Sequence, residues 1–182
     1  MGPYFLTSAR LGFRTWRPDD LPLAVAIWGD IEVTRLNGGP FAPAYPAARL
    51  ASEISNLAEH GYQYWPIFWR ETGAHAGCCG LQPRDAGARI FELGYYLRPP
   101  FWRRGLAAEA ARAVVGYAFG QLGAQALFAG HHADNASSRR ILQDLGFRYT
   151  HHEFYAPSGV DEPCYLLRPD DVSNALRPGA GR

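Results

Sequence analysis

The 182-residue chain carries 18 Lys plus Arg against 17 Asp plus Glu, a formal charge of +1. That balance gives no general reason to expect nucleic acid or an anionic membrane as partner. Hydrophobic residues at 47% and aromatics at 14% exclude disorder across the chain and provide for one core-bearing domain.

The three cysteines, Cys78, Cys79 and Cys164, are an odd set with an adjacent pair. They make a poor disulfide framework and read as reduced, buried thiols. Met1 to Arg10 shows no basic region followed by an apolar stretch, and no run approaches ~18 apolar residues. Neither a secretory leader nor a membrane span is expected, and the cytoplasm is the expected location.

In chain order, Arg10 to Trp16 alternates as a first strand. Pro18-Asp19-Asp20 offers a helix start, and Leu21 to Trp28 a short helix. Asn37 to Pro46, with two glycines and three prolines, reads as a loop. A second helix is expected over Pro46 to Glu59, with Leu50, Ile54, Leu57 and Ala58 on one face. Strands follow at Tyr64 to Arg70, His75 to Leu81 and Arg89 to Arg98, separated by turns at Glu71-Thr72-Gly73 and Arg84 to Ala88. These form an antiparallel meander. Arg104 to Leu122 is an alanine-rich helix, Gln125 to Gly130 a short strand, and Asn135 to Leu145 a helix stopped by Gly146. Phe147 to Tyr155 and Cys164 to Arg168 are two last strands. The order implies a mixed α/β or α+β sheet with helices on its faces: about seven strands, mostly antiparallel, and about four helices. Residues 1–169 are expected to form a single domain, and 170–182 a frayed tail.

The most informative stretch runs from Phe91 to Leu122. A strand ends at Pro99-Pro100, and a turn then leads into the long helix. Helix amides and the macrodipole make such a start a ready phosphate site. Gly105 and Ala107 let an anion approach the backbone, and Arg103 and Arg104 add charge. By spacing alone, an ordinary helix start with solvated arginines fits about as well. A Gly-x-Gly-x-x-Gly dinucleotide fingerprint after the first strand is absent.

The run Phe91-Glu92-Leu93-Gly94-Tyr95-Tyr96-Leu97, continued by Pro100-Phe101-Trp102-Arg103-Arg104-Gly105-Leu106-Ala107-Ala108-Glu109-Ala110, resembles the cofactor motif of the GNAT acyltransferases. Asn135-Ala136-Ser137-Ser138 with Leu145-Gly146-Phe147 is similar to the next segment of that superfamily. Ser8 to Arg14 with Pro18-Asp19-Asp20 resembles the branch that acetylates ribosomal-protein N-termini. The likeness spans about residues 7 to 169.

The resemblance implies a sheet splayed at its central parallel strand pair. It also implies acetyl-coenzyme A as co-substrate. Backbone amides of Trp102, Arg103, Arg104, Gly105, Leu106 and Ala107 would hold the diphosphate. Tyr95, Tyr96 and Leu97 would pair with the pantetheine arm as an added strand, with Asn135 bonding it from the splayed end. The amide near Gly94 or Tyr95 would face the thioester oxygen. This branch often has Gly where Arg103 stands. Many relatives place a proton-donating Tyr where this chain has Leu142; in the ribosomal-protein branch a Ser is the proposed donor, and Ser138 matches it.

Acyl transfer to an amine requires loss of a proton from the ammonium, donors for the developing oxyanion, and a departing thiolate. Glu92, on the same face of its strand as Gly94, is the leading base; a surface carboxylate paired to an arginine is the plain alternative. Glu53 and Glu71 are weaker candidates. Ser138 is the candidate acid, and as a helix-start residue it could equally serve the backbone alone. The implied reaction moves an acetyl group to a primary amine, on a protein N-terminus or a small molecule, by direct attack in a ternary complex. A non-catalytic acyl-coenzyme-A-binding or regulatory module is the alternative. His131-His132 and His151-His152 are adjacent pairs; strand neighbours point to opposite faces, so no pair chelates one ion and no metal is expected. The loop Asn37 to Tyr45 is the candidate acceptor lid. A homodimer is left open.

Overall fold

The structure, a computed structural model, describes residues 3–172. Its strands are β1 (Leu6–Thr7), β2 (Leu11–Phe13), β3 (Tyr64–Trp69), β4 (His75–Asp85), β5 (Ile90–Leu97), β6 (Ala126–Gly130), β7 (Arg148–Tyr155) and β8 (Val160–Leu167). Its helices are α1 (Leu21–Trp28), α2 (Ile31–Thr34), α3 (Tyr45–His60), α4 (Leu106–Gly120) and α5 (Ala136–Leu145). The strands form one sheet in the order β1-β2-β3-β4-β5-β6-β8-β7. β5 and β6 run parallel, and the other neighbours are antiparallel. No helix among the described residues is long and apolar enough to cross a membrane.

The expected mixed, mostly antiparallel sheet is present, with eight strands and five helices among the described residues where about seven and about four were expected. β1 has only two residues, paired with Phe13 and Gly12, too few to show alternation in the sequence. The first strand shrinks to Leu11–Phe13. α2 is a single turn, capped where the Asp30 carboxylate accepts from the Glu32 amide at 2.9 Å. β8 starts four residues earlier than its apolar run, because Val160 and Asp161 pair with Tyr155 and Phe154 across the hairpin. Of the expected tail, a 3-10 turn at Pro169–Asp171 is described; residues 173–182 lie outside the described residues.

The sheet has two unlike faces. On one, α4 buries Leu106, Ala110, Ala111, Val114, Val115 and Ala118. Its alanines let the helix lie close over Leu81, Phe91, Leu93 and Leu97 of β4 and β5. On the other, α1 and α3 cover a smaller cluster built on Trp16, Trp28, Leu50, Tyr64 and Cys78. β5 alternates between them: Phe91, Leu93 and Leu97 join the α4 core, while Glu92, Gly94 and Tyr96 face the α1–α3 side. All three cysteines are buried and free.

The carboxylate of Glu53, paired with Arg49 one turn earlier on the same helix, ties α3 to the sheet. Glu53 has no exposed surface. Its Oε1 accepts from Arg49 Nε at 2.7 Å and from Gln82 of β4 at 3.4 Å, and its Oε2 accepts from the Tyr64 amide at 2.7 Å. Arg49 continues over the rings of Trp28 and Tyr64, at 5.4 and 5.1 Å. Glu53 is therefore spent on architecture. Substituting Glu53→Ala strips Arg49 and the Tyr64 amide of their partner, and breaking a buried pair on one side costs about 3–5 kcal/mol. Urea unfolding of the variant should show that loss.

Candidate active site

β5 and β6 pair only at Ile90↔Ala126, Phe91↔Leu127 and Glu92↔Phe128. Beyond Glu92 the two strands separate. β6 turns its backbone to β8 as far as Gly130↔Cys164, while β5 continues to Leu97 paired with β4 alone. A cleft of about 180 Å³ opens where they part, lined by Glu92, Gly94, Tyr96, Asn135, Ser138 and Glu162 among others. That volume holds a small acyl group and an amine, not a whole coenzyme.

The cleft passes through the sheet. Tyr64, Arg49, Glu92 and Tyr96 reach it from the α1–α3 side, and Tyr95, Ser138 and Leu142 from the α4–α5 side. Tyr64 Oη sits directly against Gly94, where any Cβ would overlap it. That position thus has to be glycine if the phenol is to reach the cleft.

Electrostatics divide the carboxylates lining the cleft. Glu153 is held below the usual range by Arg84, whose guanidinium grips it at 2.5 and 3.2 Å and stacks 4.0 Å over Phe128. Glu92 is pushed up by burial, with Arg84 only partly offsetting it. Glu162 is also pushed up by burial, and Ser158 Oγ donates to it at 2.9 Å. Glu92 therefore takes up a proton more readily than an ordinary carboxylate, while Glu153 is a fixed anion.

On the other side, Asn135 caps α5: its Oδ1 accepts from the Ser138 amide at 3.0 Å, which leaves the Asn135 amino group available. Ser138 lies beside Tyr95, whose phenol is pushed up by burial, the Ser138 hydroxyl partly offsetting it. Leu142 is buried beside them. His131 is pushed down by burial; its ring stacks on Tyr165 at 5.3 Å.

From the end of β5 a continuous backbone strip leads to α4. Trp102 donates its indole N–H to the Leu97 carbonyl at 2.6 Å. Arg103 takes φ 58° and Gly105 φ 73°, and Gly105 is the N-cap of α4. Two left-handed residues so close together turn successive amides to one side, an anion-receiving concavity at a helix start. The Arg103 backbone explains the preference for glycine there, since a side chain at this φ costs roughly 1–2 kcal/mol. Leu97 and Leu106 bury their side chains in the core, so only their backbone faces outward.

Of the expected site residues, Glu92, Tyr95, Tyr96, Asn135 and Ser138 meet at the cleft. Leu97, Trp102, Arg103, Arg104, Gly105, Leu106 and Ala107 form the strip beyond it. Glu71 stands apart, accepting from Trp69 Nε1 at 3.2 Å. Sequence reading missed Arg49, Arg84, Glu153 and Glu162. Arg49 had a local sign, its i,i+4 spacing to Glu53; Arg84 and Glu153 lie 69 positions apart and had none. Gly38, in the predicted lid, packs against the Pro157 carbonyl of the β7–β8 turn, so loop and hairpin meet.

Comparison with known proteins agrees with this geometry. The acetyltransferase (GNAT) domain model matches residues 10–148. A Bacillus subtilis protein, the uncharacterized N-acetyltransferase YoaA, is 36% identical over 148 residues, covering 79% of this chain and 82% of its own. The uncharacterized N-acetyltransferase p20 of Bacillus licheniformis is 29% identical over 79% of this chain and 82% of its own. A GNAT-family acetyltransferase from Bacillus anthracis superposes with a TM-score of 0.78 at 19% identity, over 91% of this chain and 98% of its own. RimL, the ribosomal L7/L12 alpha-N-protein acetyltransferase, superposes at 0.74 with 14% identity, over 92% of this chain and 97% of its own. A domain match across most of the chain, joined to a parallel pair that parts beside an anion-receiving helix start, makes this chain a member of the GNAT acetyltransferase family.

Proposed function

We propose that the chain transfers an acetyl group from acetyl-coenzyme A to a primary amine, on a protein N-terminus or a small molecule, by direct attack with both substrates bound. One observation carries the reading: the stretch of β5 that lacks a strand partner lies between the amide concavity at the start of α4 and the half-buried carboxylate of Glu92. The residues present fit the coenzyme. Tyr95 and Tyr96 offer backbone groups on an open edge that ends at Leu97, whose carbonyl already takes the Trp102 indole; Asn135 offers its amino group, and the turn from Trp102 to Ala107 offers amides flanked by Arg103 and Arg104. When bound, acetyl-coenzyme A supplies a thioester, the activated acyl group.

The chain's own groups do the rest. Glu92 accepts a proton from the incoming ammonium, directly or through water, because burial makes its carboxylate more basic than usual. Ser138, at the cleft beside Tyr95, holds a proton at Oγ for the departing sulfur. Base and acid reach the cleft from opposite faces of the sheet, so they do not quench each other. Arg84 keeps Glu153 ionised and beside the path of a cationic acceptor.

Titration calorimetry with acetyl-coenzyme A should give saturable heat that coenzyme A competes away. Placing a β-branched side chain at φ 73° distorts the concavity, so Gly105→Val should raise the dissociation constant at least about tenfold. A folded protein giving no heat would end the reading.

Coenzyme A thiol release, followed over a panel of amines and peptide N-termini, tests the chemistry. Glu92→Gln and Ser138→Ala should each lower kcat by about 10²-fold or more while coenzyme affinity holds. A base works deprotonated, so the rate falls as pH drops through the Glu92 value. That limb should lie above the ordinary 4.5 and vanish in Glu92→Gln. Unchanged turnover in both variants would remove these residues from catalysis.

A further inference from the structure

We infer that His151, Glu153 and Cys164 form a binding site for a zinc-class divalent cation at the acceptor rim of the cleft. The three side chains converge from the β7–β8 hairpin, and their ligand atoms all lie within 4.8 Å of one another. His151 and Glu153 are two apart on β7 and share a face, and Cys164 is the cross-strand partner of His151. The adjacent pair His151-His152 concealed this in the sequence, because the other ligands come from two residues further on and from the facing strand.

A bulge builds the arrangement. The register shifts between Tyr149 and His151, leaving Thr150 as the extra residue. Thr150 Oγ1 donates to the Cys164 carbonyl at 3.1 Å. A hydroxyl has one proton, so at 2.9 Å it accepts from His151 Nδ1–H. The lone pair of His151 is thereby left on Nε2, which faces Glu153 Oε2 at 3.5 Å. Two acceptors and a thiol thus meet with a cation-sized space between them, and the second ring nitrogen is tied down as it is in built zinc sites. Tetrahedral zinc needs ligand-to-ligand edges of about 3.4–3.6 Å. The imidazole–carboxylate edge already has that length; Cys164 Sγ, within 4.8 Å of both, would leave its 3.4 Å bond to the Glu162 carbonyl to complete the set.

The mixed nitrogen, sulfur and oxygen set selects zinc-like ions over magnesium or calcium. Binding would release the thiol proton of Cys164 to solvent. Glu153 can keep Arg84 through its remaining lone pairs. The fourth position opens to the cleft, where occupancy would add positive charge in the path of an amine. Cys78 and Cys79 have no exposed surface and do not compete.

The test titrates the full chain with Zn²⁺ against a chromophoric chelator and with Co²⁺ by absorption; neither depends on acetyl transfer. The expected result is stoichiometric Zn²⁺ uptake and a thiolate-to-cobalt band. Cys164→Ser should abolish that band, and Thr150→Val should weaken Zn²⁺ by about 10–100-fold. His151→Ala, at an exposed position, should also lose Zn²⁺ and keeps the test open if Cys164→Ser fails to fold. Absence of the cobalt–thiolate band in the wild type, or wild-type Zn²⁺ affinity in the folded variants, would overturn the site.

Discussion

Backbone pairing between β5 and β6 lasts for three residues and ends at Glu92 and Phe128. A parallel pair inside a sheet normally stays hydrogen-bonded along its length, because an unpaired buried amide or carbonyl is costly. Here the divergence leaves β5 beyond Glu92 with backbone groups for an extended ligand or solvent, the Leu97 carbonyl excepted, which takes the Trp102 indole N–H. The rest of the architecture makes that gap stable. β4 holds the other edge of β5, α4 packs its small residues against the strand, and β6 finds β8 instead.

Because the gap lies inside a sheet, it is a passage and not a surface groove. Alternation along β5 sends Glu92 to one side and Tyr95 to the other, so groups that must stay chemically distinct are separated by the strand itself. The charges follow the same division. Arg49 is committed to Glu53 and Arg84 to Glu153, and Glu92 has no comparable partner. Burial then raises its affinity for a proton. Neighbouring carboxylates at one opening thereby have different protonation behaviour, set by which arginine each can reach.

Much of this was readable in the chain. Long elements with clear periods were: α3 and α4 appear within two residues of the expected bounds, and β5 within one at each end. Asn135 and Gly146 bracket α5 as cap residues should. The backbone strip from Tyr95 to Ala107 was carried by motif, and its chemistry depends on backbone amides that a local turn specifies. What stayed hidden was whatever depends on distant strands meeting. Glu153 gives no sign in sequence of being clamped by Arg84. The Tyr64 hydroxyl reaches the cleft only because Gly94, on a strand it does not adjoin in sequence, leaves room. β1 and α2 were too short for any period to register, and they form because neighbours already present supply their hydrogen bonds.

The meeting of Gly38 with Pro157 bears on how such a scaffold diversifies. Two connections far apart in the chain, one before α3 and one between the last two strands, close over the same opening. Neither belongs to the strand edge or the helix start on the opposite side. Insertions or exchanges in these two segments could therefore recast the chamber for a new nucleophile and leave the donor half untouched, so selection can tune the two halves of one reaction separately.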